Sequence, residues 1–186
     1  DAMQADWTCI PLETGSRNFV LCEGVMILLP YPQGQQALVN EVHRVLRPGG
    51  ICILRLFTPP TTPESPDVVL ADLLAGKIAN LNLLKLRLGM ALQTNAVDGV
   101  QLREVWTRLH QAAPDFPALA ARIAWELEHL SAIDTYRESP LTYHFLSPEI
   151  VRDLFCGSPG GFKMGETLVP GYALGERCPT LVLHRA

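Results

Sequence analysis

The sequence predicts an α/β fold in which helices cover a largely parallel sheet. The segment before Arg47 has the apolar spacing of an amphipathic helix, and the segment after Gly50 is a β-branched apolar run typical of a strand buried on both faces. A second apolar run, Asn18–Met26, lies one helix upstream. Strand, helix and strand in this order make a βαβ crossover, which is right-handed by the general rule.

The helix and the second strand are separated by Pro-Gly-Gly at 48–50. Proline cannot continue a helix, and the two glycines can adopt the positive φ that closes a helix and reverses the chain. We therefore expect the helix to end near Leu46 and a central strand to occupy Ile51–Phe57. The strand Phe19–Val25 should be its parallel neighbour, and the loop after that strand should open at the carboxyl edge, where such sheets bind ligands.

The rest of the chain divides into a helical segment and a closing α/β segment. A proline-rich stretch, Thr58–Pro66, leaves the sheet, and Asp67–Arg137 then has helical apolar spacing that predicts about three or four helices, with breaks near 94–99 and 114–117. In the tail, Ser147 and the following proline predict the start of a short helix. Two apolar runs then predict a closing pair of strands, Phe162–Val169 and Thr180–His184. The expected parts are residues 1–66, 67–137 and 138–186.

Composition limits the function classes. The chain has 186 residues, 48% of them hydrophobic, which is enough for a sizeable core, and its net charge of −4 argues against a generic nucleic-acid binder. The sequence has no run of about 18 apolar residues, and its start lacks the basic and apolar regions of a signal peptide. Both observations argue against a membrane protein. Five cysteines without CxxC spacing indicate reduced thiols in a cytoplasmic protein and no structural zinc site.

Four stretches together resemble a known family. These are Asp1-Ala2-Met3, the strand and loop of Asn18–Pro32, the RVLRPGG motif at 44–50, and the closing strand pair. In this order they resemble the C-terminal two-thirds of a class I S-adenosylmethionine (SAM)-dependent methyltransferase. The resemblance implies a Rossmann-like methyltransferase sheet, covering the region of its third to seventh strands, with an enlarged helical insert between the fifth and sixth.

The resemblance also implies a cofactor-binding set. Asp1 and Ala2 would contact the adenine of SAM, while Cys22, Glu23 and Gly24, at the end of the family's fourth strand, would line its methionine and sulfonium end. Each has a structural alternative, because Asp1 could be a loop acid, Glu23 could cap a backbone amide, and Cys22 could be a small packing residue. No metal site is expected.

Three further residues are candidates for the substrate side. Tyr31 borders the expected cleft, and Tyr143 and His144 follow the helical segment. His144 could act as a general base because histidine titrates near neutral pH. Ordinary packing is the alternative for all three. No catalytic residue is assigned, because SAM carries the activated methyl group and the protein has mainly to align the acceptor and exclude water.

The expected function is therefore methyl transfer to a small-molecule acceptor, with the helical segment as a lid over the edge that carries Glu23. The net negative charge and the absence of an Asn/Asp-Pro-Pro-Tyr motif argue against a DNA base methyltransferase. Whether oxygen, nitrogen or carbon is methylated stays open, as does the oligomeric state.

The glycine-rich loop and the ribose-binding acid of the family are absent from the sequence. We therefore expect the chain to be a fragment of a longer methyltransferase. In the chain alone, the Phe19–Val25 strand would be a bare, apolar sheet edge, which natural sheets avoid. Two alternatives remain. One is a non-catalytic, methyltransferase-like partner subunit that pairs through this edge, and the other is a nicotinamide-dependent oxidoreductase, which shares the doubly wound sheet.

Overall fold

The computed structural model describes residues 4–186, which form two compact units. One unit runs up to Thr58 and resumes at Leu146, and the other is Pro59–Phe145. The first unit contains a four-stranded sheet, and the second is mainly helical. The mixed α/β class predicted from the sequence is confirmed.

The helices and strands follow one another along the chain. In order they are β1 (Arg17–Glu23), a 3₁₀ helix (Val25–Leu28), α1 (Gln33–Val45), β2 (Leu46–Arg55), α2 (Pro66–Leu74), α3 (Leu81–Leu92), β3 (Val100–Gln101), α4 (Leu102–Ala112), α5 (Phe116–Ile123), α6 (Leu127–Ser131), a second 3₁₀ helix (Ala132–Tyr136), β4 (Thr142–Tyr143), α7 (Pro148–Cys156), β5 (Phe162–Leu168), a third 3₁₀ helix (Gly175–Arg177) and β6 (Thr180–Arg185).

The four-stranded sheet has the order β1-β2-β6-β5. β1 and β2 are parallel, with Leu21 opposite Ile53 and Cys22 opposite Leu54. β6 runs antiparallel to β2, and β5 runs antiparallel to β6. The predicted parallel neighbours and the predicted closing strand pair are both confirmed.

The Pro-Gly-Gly segment at 48–50 differs from the expectation, because it lies within β2 and not before it. Leu46 is already extended, with φ −70° and ψ 142°, and pairs with Arg17; pairing resumes at Ile51. The intervening residues bulge out of the ladder, which suits a proline that has no N–H to donate. Gly49 takes φ 74° at this bulge. The helix therefore ends where the strand begins, and pairing of β2 with β1 is restored after the two glycines.

α1 forms because one face of it is apolar, and that face is buried. Its most buried members are Leu38, Val39, Val42 and Val45, each at most 2% exposed. The helix contacts β2 and α7. Burying a valine or leucine side chain stabilises a fold by roughly 1.5–3 kcal/mol, so these four residues hold the crossover helix in place.

The helical unit has five α-helices, one more than the upper expectation of four. Three of them begin at side-chain N-caps, in which Ser65, Asn80 and Asp115 each accept a hydrogen bond from the backbone N–H three residues later. The predicted breaks near 94–99 and 114–117 are confirmed. Two further breaks separate α2 from α3 and α5 from α6. The second lies at Ala124, which ends α5 in the left-handed conformation with φ 55°. Glycine usually occupies such a position, so the sequence carried no signal for it.

A network of polar contacts fastens the segment before β1 to α1. The Glu41 carboxylate accepts a hydrogen bond from the Ile10 N–H at 2.6 Å and pairs with Arg44 at 2.7 Å. Arg44 also donates to the carbonyl oxygens of Ile10 and Leu12, at 2.8 and 2.7 Å. The hydrogen bond from the Arg44 guanidinium holds the pKa of Glu41 below its usual value of 4.5. The folded protein therefore favours the ionised carboxylate.

We expect Glu41→Gln to lower the free energy of unfolding by about 1–2 kcal/mol at pH 7. This is the scale of a charge-assisted hydrogen bond, reduced because solvent screens the Arg44 pair. Because the folded pKa lies below the unfolded one, the contribution is present above pH 4.5 and disappears as the pH falls through the folded pKa. Urea unfolding of both proteins from pH 7 towards pH 2 measures the difference.

Glu13→Gln is the matched control, because Glu13 is exposed and no side-chain hydrogen bond or ion pair involves it among the described residues. A Glu41→Gln effect that stays constant between neutral and strongly acidic pH would contradict this account of the network.

Candidate functional site

The candidate site lies where the parallel strands β1 and β2 both end. Glu23 and Arg55 are the last residues of these strands and are register partners. Their side chains form an ion pair, with 3.1 Å between Glu23 Oε1 and Arg55 Nη1. The Glu23 side chain is 57% exposed and that of Arg55 is 32% exposed, so solvent screens the pair and it adds little stability. One carboxylate and one guanidinium are thus accessible at the edge where α/β sheets bind ligands.

A sharp turn at Gly24 follows β1. Gly24 has φ 63° and ψ 7°, and its N–H donates to the carbonyl oxygen of Arg55 at 3.3 Å. A Cβ atom at this position would lie 2.7 Å from Cε2 of Phe57. Both the left-handed backbone and the close aromatic ring therefore require glycine.

Two aromatic rings flank the Arg55 guanidinium. Its Cζ lies 5.9 Å from the ring centroid of Phe57 and 5.7 Å from that of Tyr172, and one of its N–H groups donates to the Tyr172 hydroxyl. Arg55 Nε is buried and has no hydrogen-bond partner among the described residues. We refer to Glu23, Gly24, Arg55, Phe57 and Tyr172 as the carboxyl-edge cluster.

Cys22, predicted to line the ligand, has its side chain in the core. It is 8% exposed and lies against Cys52, which is fully buried on β2. The neighbouring Cys22 thiol and burial together raise the pKa of Cys52. Because a buried, protonated thiol is a poor nucleophile, the pair packs the interior of the sheet. A backbone contact between Cys22 and a ligand stays a prediction.

The remaining predicted residues belong to segments of the chain other than β1 and β2. Asp1 and Ala2 lie outside the described residues. Tyr31 is half-buried in the turn before α1. Tyr143 and His144 belong to the helical unit, which the structure describes as a separate body.

Within the helical unit, Tyr143 pairs with Val100 in the β3–β4 ladder and meets the Tyr136 ring edge-on. His144 is 6% exposed, and its Nδ1 lies 2.9 Å from the carbonyl oxygen of Ala96. This contact orients the ring. Roles for Tyr31, Tyr143 and His144 at a substrate stay predictions.

Sequence reasoning missed three members of the carboxyl-edge cluster. Arg55 had a usable signal, because a charge near the end of an apolar strand marks the ligand-binding edge, whereas Phe57 reads as one more apolar residue after the strand. Tyr172 had none, because it is 117 residues from Arg55 and approaches it through the loop between β5 and β6.

Among residues 4–186, no group of three His, Cys, Asp or Glu side chains stands close enough to hold a metal ion. Over the same residues, every helix is too short or too polar to cross a membrane.

Residues 1–54 match the model of a family described as a methyltransferase domain. This stretch contains β1, α1 and most of β2, together with Glu23 and Gly24. The resemblance to methyltransferases that the sequence suggested is confirmed over these residues. No protein of curated function matched the chain.

Several solved structures are similar to the chain. A SAM-dependent methyltransferase from Methanosarcina mazei is 13% identical, over 97% of this chain and 65% of its own, with a TM-score of 0.46. A protein described as a putative Zn-dependent alcohol dehydrogenase from Rhodobacter sphaeroides is 14% identical, over 98% and 64%, with a TM-score of 0.53. A putative sarcosine dimethylglycine methyltransferase from Galdieria sulphuraria is 12% identical, over 98% and 58%, with a TM-score of 0.33.

At these identities the likeness concerns the fold alone, and only the Rhodobacter sphaeroides structure exceeds a TM-score of 0.5 among these three. The chain spans less than two thirds of the length of each of them.

We expect Gly24→Ala to lower the free energy of unfolding by more than Gly49→Ala does. Both glycines have positive φ, but an added Cβ at Gly49 meets nothing within 4 Å, whereas at Gly24 it meets the Phe57 ring. The backbone cost, about 1–3 kcal/mol, is common to both variants. The difference between them, measured by urea unfolding, therefore isolates the ring contact. Equal losses for the two variants would show that Phe57 moves aside freely.

Proposed function

We propose that the chain forms one wall of the SAM site and the acceptor side of a SAM-dependent methyltransferase that acts on a small molecule. The observation that carries the proposal is the Gly24 turn at the shared end of the parallel strands β1 and β2, inside the stretch that matches the methyltransferase domain. A glycine turn at this edge lets the backbone approach a ligand closely.

The carboxyl-edge cluster suits the methionyl end of SAM. The Glu23 carboxylate can attract its ammonium or sulfonium group, and the partly exposed guanidinium of Arg55 can attract its carboxylate. When bound, SAM supplies the activated methyl group. The task of this chain's residues is then to orient SAM and the acceptor and to keep water out.

The sheet order supports a correspondence with the family's strands. β1 and β2 would be the fourth and fifth strands, and the antiparallel pair β5 and β6 would be the sixth and seventh, with β6 inserted beside β2. The helical unit would then be the insert between the fifth and sixth strands, ahead of α7.

The outer edge of β1 supports a contribution from sequence outside these 186 residues. No described strand pairs with this edge, and Phe19 and Leu21 are 49% and 64% exposed. Natural sheets cover or charge such edges. We propose that the glycine-rich SAM loop, with the strand that precedes it, lies there in the complete enzyme.

The same edge favours a second candidate function, that of a non-catalytic methyltransferase-like subunit. In that case a partner protein would supply the strand that pairs with β1. Native mass spectrometry of the natural complex separates the two, because an obligate hetero-oligomer would favour the subunit and a SAM-binding single chain would favour the enzyme.

We expect the 186-residue chain to bind SAM weakly and a longer product of the same gene to bind it well. Losing two charge-assisted hydrogen bonds to the ribose, at roughly 1.5–3 kcal/mol each, weakens binding by about 10² to 10⁴-fold. Isothermal titration calorimetry with SAM on both proteins measures this. Micromolar binding by the short chain would mean that the site is built differently from the family's.

In the longer protein, we expect Glu23→Gln to weaken SAM binding by about tenfold or more, because one charge-assisted contact is lost. Glu13→Gln is the control, since Glu13 precedes β1 at the opposite end of the strand. Unchanged affinity for Glu23→Gln would remove Glu23 from the SAM site.

A further inference from the structure

The helical unit contains a pocket of its own, with a volume of about 460 Å³. Residues from the start of α3 line one side, and residues from the α5–α6 turn and from α6 line the other. This volume is within the range of about 300–1,000 Å³ that is usual for small-molecule sites. All of its lining residues lie within Pro59–Phe145, so the pocket belongs to this unit alone.

Lys85 is the lysine that lines the pocket. Its Nζ lies 4.8 Å from the ring centroid of Tyr136, and no described carboxylate lies within 4 Å of it. Partial burial lowers the pKa of its ammonium group. The other lysine of this unit, Lys77, is more exposed and pairs with Asp72 at 3.1 Å. A half-buried ammonium that contacts a ring face keeps hydrogen-bond donors that a ligand carboxylate can use.

The wall opposite Lys85 offers apolar surface. The left-handed Ala124 turns the chain after α5, and the N–H of Trp125 then donates to the carbonyl oxygen of Ala120 at 3.0 Å. This turn brings the half-buried indole of Trp125 to the pocket, together with Ala124 and Ala132. An indole offers a large, rigid contact area for an apolar group.

Two other titratable side chains line the pocket, Glu126 and His129, and both are exposed. The Glu126 carboxylate forms no ion pair with Lys85 in the part of the chain that the structure describes, and His129 cannot form one, because it is neutral or cationic. The Glu126 carboxylate adds negative charge at the solvent side, which disfavours a second anionic group on a ligand.

We propose that this pocket binds a small monocarboxylate with an apolar or aromatic body. The carboxylate pairs with the Lys85 ammonium, and the body packs on Trp125. The pairing restores the solvation that Lys85 loses by burial and so gives binding energy that an uncharged analogue lacks. This inference is independent of the proposed methyltransferase function, because it uses only residues of the helical unit.

The test is a titration of the 186-residue chain with three probes of one shape, 3-phenylpropionate, 3-phenylpropionamide and phenethylamine, followed by NMR or calorimetry. We expect 3-phenylpropionate to bind at least tenfold more tightly than the neutral amide and phenethylamine to bind most weakly. Benzylmalonate, which adds a second carboxylate, should bind more weakly than 3-phenylpropionate because of Glu126.

Variants of the same chain assign the contact. Lys85→Met should remove the preference for the carboxylate over the amide, Lys85→Arg should retain it, and the control Lys77→Met should leave it unchanged. Glu126→Gln should retain 3-phenylpropionate binding and improve that of benzylmalonate.

Equal affinity of the unmodified chain for the acid and the amide, or no binding of the acid at 10 mM, would overturn the proposal without any variant. A carboxylate preference that survives in a folded Lys85→Met protein would overturn the role of Lys85. Neither result bears on SAM binding, so failure here is distinguishable from failure of the proposed function.

Discussion

The parallel pairing of β1 with β2 is the constraint on which the sheet unit depends. Two parallel neighbours cannot be joined by a hairpin, so the chain must cross over the sheet, and α1 makes that crossing. The crossing requires an apolar helix face, which α1 buries almost completely. Parallel strands also end at one edge, and this alone brings Glu23 and Arg55, 32 positions apart in the chain, to within 3.1 Å.

The sequence predicted those parts of the fold whose signals are local. Apolar spacing predicted α1, β-branched runs predicted the strands, and the Ser-Pro pair predicted α7. Prediction from the sequence failed where the backbone adopts a conformation that is unusual for the residue type at that position. Ala124 ends a helix without a glycine, so the predicted number of helices was too low. Leu46 starts a strand ahead of a proline, so the predicted start of β2 was too late in the chain. Of the candidate site, the resemblance to methyltransferases predicted Glu23 and Gly24, whereas Tyr172 reaches Arg55 through a loop distant in sequence.

Arg55 and Lys85 differ in the contacts that hold their charged groups. Arg55 has a carboxylate, a phenol hydroxyl and two ring faces around its guanidinium, so its orientation is fixed by planar contacts before any ligand arrives. Lys85 has one ring face and a flexible stem. A guanidinium held in this way suits a ligand that must be aligned for a reaction, while an ammonium with a single ring contact suits a ligand that has only to be retained.

Cys22 and Cys52 make the junction of β1 and β2 measurable. Both thiols are buried on neighbouring strands, and the raised pKa of Cys52 keeps it protonated. A thiol reagent should reach these two thiols much more slowly than the exposed Cys9, because their burial favours reaction in molecules whose strands have separated. The labelling rate of Cys22 and Cys52, divided by that of Cys9, therefore measures how often the sheet opens. No probe has to be introduced.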